Sequence, residues 1–113
     1  MRTIDRVTFR KLVRDKIPQL IERSGRRPRY HTLTKEDRWE ALRNKLNEEV
    51  DELHAAKDPE EVLEEVADVL EVLLAMVYEA GYIDADLELR AKQKRREKGS
   101  FDKFVWLESV EDR

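Results

Sequence analysis

The chain has 113 residues and a formal net charge of −3, which fits one domain and gives no overall field that would gather nucleic acid. Charged residues make up 43% and hydrophobic residues 40%, the latter gathered in periodic segments, so a folded helical protein is expected and a disordered one is excluded. Without cysteine there is neither a disulfide framework nor a thiolate metal centre, and no apolar stretch approaches the roughly 20 residues that cross a bilayer.

Residues 1–8 show no pattern and read as an extended or frayed arm. The charged start of the chain lacks the apolar stretch of a signal peptide, so a cytoplasmic location is the expectation. Residues 14–24 read as a short helix, with Asp15 as its N-cap, Pro18 in its first turn and Gly25 ending it. A basic extended connection over residues 26–33 follows. Thr34 and Asp37 form a capping arrangement, and Trp39, Leu42, Leu46, Val50 and Leu53 then recur at helical spacing, predicting a helix over residues 35–56. Asp58, Pro59 and Glu61 read as the cap, first position and capping box of a second helix that runs to about Ala80 and stops at Gly81. So short a turn folds the two helices into an antiparallel hairpin. A further helix starts near Asp84, passes through the basic stretch 92–98 and ends at Gly99, and residues 104–107 read as a short strand or extended tail.

The two helices of the hairpin repeat one pattern. A shift of sixteen residues lays Leu46 on Val62, Glu48 on Glu64, Glu49 on Glu65, Val50 on Val66, Glu52 on Asp68 and Leu53 on Val69. With Glu49 at zero on a helical wheel, the apolar residues Trp39, Leu42, Leu46, Val50 and Leu53 fall at about 20° to 100° and Glu52 at about 300°. With Glu65 at zero, Val69, Val72 and Met76 flank it and Asp68 falls again at about 300°. Each helix therefore sets one carboxylate against its apolar arc, with the partner three residues on just beyond it. Glu64 turns outward and Glu48 stands at the margin.

Packing the arcs together draws Glu49, Glu52, Glu65 and Asp68 to one seam. Four carboxylates there repel one another and resist desolvation unless cations lie among them, and all-oxygen donors suit hard ions such as Mg²⁺ or Mn²⁺. The competing reading is an ordinary acidic helix face in a chain with 26 acidic residues. The repetition in the same phase favours the cation. Apart from Lys45 near Glu49, no Lys or Arg three or four residues away faces inward to pair with them. Lys45 reads as a structural partner or a phosphate contact.

The pattern Glu-Glu-x-x-Glu, a short spacer, then Glu-Glu-x-x-Asp resembles the MazG-like, all-alpha nucleoside triphosphate pyrophosphohydrolases. These are related to the dimeric dUTPases and to phosphoribosyl-ATP pyrophosphohydrolase. The string Lys11-Leu12-Val13-Arg14-Asp15-Lys16-Ile17-Pro18 is similar to a subgroup described as phosphoribosyl-ATP pyrophosphohydrolase-like, and Lys98-Gly99-Ser100-Phe101 also fits, so that the resemblance covers residues 9–108. It implies an all-α fold, metal ligation by Glu49, Glu52, Glu65 and Asp68, and Glu48 orienting or deprotonating an attacking water. The implied activity is hydrolysis between the α and β phosphates of a nucleotide to a monophosphate and pyrophosphate. Phosphoribosyl-ATP, a canonical dNTP, dUTP and a modified nucleotide all stay open as substrates.

Phosphates need cationic contacts. Lys92, Arg95 and Lys98 lead, with Arg96 as an alternative to Lys98, because they precede the glycine turn that matches the family's C-terminal motif. Arg14 and Lys16 come next, and for Arg14 and Asp15 a structural salt bridge is the alternative. His31 and His54 have no metal-ligand company, and Trp39, Phe101 and Trp106 read as core more readily than as base-stacking groups. The helix through residues 69–77 is apolar almost all round, so a partner is expected to cover it, as homodimer or homotetramer. The rival reading is a small helical nucleic-acid-binding or dimerisation module without catalysis. It accounts for the basic stretch 92–98 but leaves the phased carboxylates without purpose.

Overall fold

The structure, a computed structural model, describes residues 10–112; the expected arm at residues 1–8 lies outside them. Among the described residues there are four α-helices and no strand: α1 (Ile17–Arg23), α2 (Lys35–His54), α3 (Pro59–Glu79) and α4 (Asp84–Lys98).

The α2–α3 hairpin is the centre of the fold. Its turn is built by residues 55–58, where the Asp58 side chain accepts a hydrogen bond from the Glu61 amide at 2.8 Å. The Glu61 carboxylate in turn accepts from the Lys57 amide at 2.7 Å. With Pro59 at the first position, the free amides of the first turn are reduced to those a helix can leave to water. Antiparallel packing follows from the side-chain pairings: Arg38 near the start of α2 meets Glu79 at the end of α3 at 3.8 Å, while Glu49 meets Glu65 and Asp68 midway. The buried side chains are few, Leu42 and Glu49 from α2 and Val72 from α3.

Gly81 ends α3 with φ of +95°, the left-handed conformation that lets the Tyr82 amide reach the Val77 carbonyl at 3.1 Å and the Gly81 amide reach Tyr78 at 3.0 Å. Gly25 closes α1 in the same way. In α4 the Ile83 amide donates to the Asp86 carboxylate at 2.9 Å, which anchors the first turn.

Two expectations are corrected. Asp15 is not the N-cap of α1: Lys16 holds that position without a side-chain hydrogen bond, and the helix begins at Ile17, after a turn in which the Ile17 amide reaches the Arg14 carbonyl. The second helix ends at His54 rather than residue 56. Of the two forms open for residues 104–107 the extended tail is found: they form no strand and stay exposed, because among the described residues no neighbouring strand offers backbone partners. The radius of gyration, 19.7 Å, far exceeds the roughly 13 Å of a compact domain of this length.

Candidate functional site

The middle of the hairpin gathers five carboxylates. Oxygens of Glu48, Glu49 and Glu52 lie within 4.8 Å of one another, and so do those of Glu49, Glu65 and Asp68, with Glu49 common to both groups. The cause is local: residues three apart on a helix share a face, and antiparallel packing sets the two pairs against each other. Glu49 is the deepest, 6% exposed, while Glu48, Glu65 and Asp68 are half-buried and Glu52 is exposed.

Charge balance here is incomplete. Lys45, with a side chain 15% exposed, reaches Glu49 at 3.0 Å and Glu48 at 3.4 Å. Burial, the largest influence on Lys45, lowers its pKa, but the Glu49 hydrogen bond and the charges of Glu48 and Glu49 outweigh it and hold the ammonium above its ordinary value. Glu48 is pushed up by burial and pulled down further by the Lys11 hydrogen bond and by Lys45, so its carboxyl stays below the usual glutamate value. Glu52 goes the other way: desolvation, then the neighbouring Glu49 and Glu65, all raise it.

The Oε2 atoms of Glu49 and Glu65 are buried without a hydrogen-bond partner. Buried carboxylate oxygens left without a donor are costly, so the cluster has room for a positive charge that no side chain supplies. A hard cation answers that need, since every donor is an oxygen.

The predicted residues divide into two sets. Glu48, Glu49, Glu52, Glu65, Asp68 and Lys45 come together, and Arg14 joins them from before α1, its Nη2 at 2.8 Å from Asp68 Oδ1. Lys16 is exposed at the N-cap of α1. Lys92, Arg95 and Lys98 are exposed on α4, whose backbone approaches α3 alone among the described helices, and no ion pair ties them to the carboxylates. Glu64 is exposed, as its wheel position required. Lys11, at 3.3 Å from Glu48, was not singled out among the site residues from sequence. A signal existed, for Lys11 and Arg14 flank the apolar pair Leu12-Val13, which is half-buried and fixes both beside the hairpin. Trp39 lies beneath the Arg43 guanidinium, 5.7 Å from its ring centroid, and Phe101 and Trp106 are almost fully exposed, so none of the three is a core aromatic.

No solved structure matches this chain. An uncharacterised protein of Mycolicibacterium smegmatis is 53% identical over 53 residues, a stretch covering 47% of this chain and 54% of that relative. The chain thus spans about half the length of the curated relative it matches. The sequence model described as phosphoribosyl-ATP pyrophosphohydrolase matches residues 13–99, which take in the whole hairpin, Arg14 and the glycine turn after α4. With most of its length matched and the five carboxylates gathered on the matched hairpin, the chain belongs to the phosphoribosyl-ATP pyrophosphohydrolase family, within the MazG-like all-alpha nucleoside triphosphate pyrophosphohydrolases.

Proposed function

We propose that this chain is a divalent-cation-dependent nucleotide pyrophosphohydrolase that cleaves a nucleoside triphosphate or related nucleotide, such as a dNTP, a modified NTP or phosphoribosyl-ATP, to a monophosphate and pyrophosphate. The observation that carries the reading is the pair of buried, unpartnered oxygens on Glu49 and Glu65, inside a cluster completed by Glu52 and Asp68. These four residues would hold Mg²⁺, with Mn²⁺ as a substitute. When bound, such an ion neutralises phosphate oxygens and makes water a stronger nucleophile.

The chain's own groups account for the rest. In the resting site Glu48 is kept ionised by Lys11 and Lys45, the state in which a carboxylate can orient a water and take its proton, and Lys45 stays beside it when substrate arrives. Lys45 holds Glu48 and Glu49 in fixed relation, so the proton acceptor and the deepest ligand keep their spacing. Arg14 stands at the rim beside Asp68, within reach of a phosphate that approaches the cation. Lys16 lies just beyond it.

The site works in a homodimer or homotetramer. Val62, Leu63, Val66, Leu70 and Leu73 form an exposed apolar stripe on α3, on the side turned from α2, and a second copy covers it. In that assembly Lys92, Arg95 and Lys98 meet phosphates in a site completed between subunits.

The test is a panel of nucleotides with and without Mg²⁺, followed by pyrophosphate release. Release from at least one member, needing the metal and falling by about a hundredfold or more in Glu49→Gln and Asp68→Asn, is expected. Release untouched by both substitutions would sink the site. No release from any nucleotide, together with salt-dependent retention on nucleic acid, would sink the enzyme reading in favour of a binding module.

A further inference from the structure

We propose that Lys11 and Arg14 are the exchangeable counter-charges of this site: they neutralise Glu48 and Asp68 before a divalent cation arrives, then transfer to the oxygens of the polyphosphate that follows it. The proposal rests on the cation-dependent reading above and assigns the phosphate side of that same site.

Three observations carry it. Arg14 Nη2 lies 2.8 Å from Asp68 Oδ1 and Lys11 Nζ 3.3 Å from Glu48 Oε1, so each group reaches a carboxylate at the outer edge of the cluster. A guanidinium that close draws on the same carboxylate charge as an incoming cation, so binding of the ion weakens the Arg14 contact with Asp68. Secondly, the two pairs differ from that of Lys45. Lys45 is enclosed between Glu48 and Glu49, whereas the Arg14 side chain is 54% exposed and its Asp68 partner 40%. Exposed pairs of this kind contribute little stability and exchange readily. Thirdly, the segment has apolar anchors as well as its charges. Leu12 and Val13 are half-buried, and α1 makes no close backbone approach to the other helices. The basic side chains can therefore turn while the backbone stays in place.

The charge count favours the exchange. Five carboxylates face Lys11, Arg14 and Lys45, which leaves two negative charges, the amount one divalent ion cancels. Once that ion is held the site is neutral overall, and a polyphosphate arriving at the mouth brings several negative charges of its own that Lys11 and Arg14 can meet. The planar guanidinium of Arg14 suits two phosphate oxygens at once, and the Lys11 ammonium serves as a point charge beside it.

Titration calorimetry on Arg14→Gln and Lys11→Gln tests this, first with Mn²⁺ alone and then with inorganic pyrophosphate at saturating Mg²⁺. Mn²⁺ should bind each variant at least as tightly as the parent, since a competitor for the carboxylates is gone. Pyrophosphate should bind Arg14→Gln about tenfold more weakly, with part of that loss recovered in Arg14→Lys. Weaker Mn²⁺ binding in Arg14→Gln would overturn the proposal, because Arg14 would then be positioning Asp68 for the cation. Unchanged pyrophosphate binding would also overturn it. Should Arg14→Gln melt well below the parent, Arg14→Lys decides: weaker pyrophosphate with unchanged Mn²⁺ supports the exchange, and unchanged pyrophosphate refutes it. A parent protein that binds no Mn²⁺ would count against the underlying function, whereas a parent that binds it while the variants keep full pyrophosphate affinity would count against the exchange alone.

Discussion

Lys45 is the residue on which the cation-free site depends. Among the described residues its ammonium is the one charge partner of Glu49, the most buried carboxylate, and it also ties Glu48. Lys45→Met would leave Glu49 buried without its counter-charge, which is costlier than losing the pair outright. The variant should lose about 2 kcal/mol of stability by urea unfolding without metal, and Mn²⁺ should restore more stability to it than to the parent. Glu52 predicts the reverse. Desolvation first, then repulsion by Glu49 and Glu65, raise its pKa, so stability from this residue grows as pH falls towards the glutamate range and is lost as pH rises through the raised value. Glu52→Gln removes that repulsion at neutral pH. The variant should melt a few degrees higher than the parent without metal, yet gain less from added Mg²⁺; a lower metal-free melting temperature would contradict the account. The four inward carboxylates were legible because helical phase alone sets them on the apolar side. Arg14 and Lys11 were harder to assign, because an extended segment has no phase, and only the burial of Leu12 and Val13 shows where its charges go.

At the scale of elements, local chemistry decided most boundaries. Asp58, Pro59 and Glu61 announce α3 through hydrogen bonds made within five residues, so sequence was enough to find them. Asp58→Ala should therefore cost about 1 kcal/mol, read as a lower urea midpoint with an unchanged denaturant slope; a neutral result would mean that the turn is held from elsewhere. Asp15 misled because an acidic residue before a proline looks like a cap, while the chain uses an Arg14-to-Ile17 backbone turn instead. The tail at residues 104–107 stayed open between strand and extended segment for a different reason. Phe104, Val105, Trp106 and Leu107 have strand-like composition, but strand formation depends on a neighbour, and nothing local in the sequence reports whether one is present.

The whole molecule is more open than a chain of this length usually is. Leu42 and Val72 are the buried hydrophobic residues, while Val62, Leu63, Val66, Leu70 and Leu73 present apolar area to solvent on an arc of about 100° of α3. That stripe is why the core could be named only in part from sequence: α3 is apolar on two sides, and one chain supplies cover for one of them. In solution the mass by light scattering should be an even multiple of 13.5 kDa. Leu63→Glu with Leu70→Glu should reduce it to a single chain and lower the melting temperature, and a parent protein already monomeric at micromolar concentration would refute the assembly.

The sixteen-residue repeat has one more consequence, which concerns symmetry. In the hairpin Glu49 stands level with Asp68, Glu52 with Glu65, and Arg38 with Glu79, so an approximate local twofold axis runs through the middle of the carboxylate cluster and exchanges α2 with α3. A cation near that axis would see nearly the same donors from either side. What breaks the equivalence is the pair outside the repeat's core: Lys45 corresponds to Glu61, and half-buried Glu48 to exposed Glu64. The two faces of an otherwise even-handed site are thereby made unlike, one carrying a held carboxylate beside a cation and the other opening to solvent, so that handedness enters the hairpin through two residues.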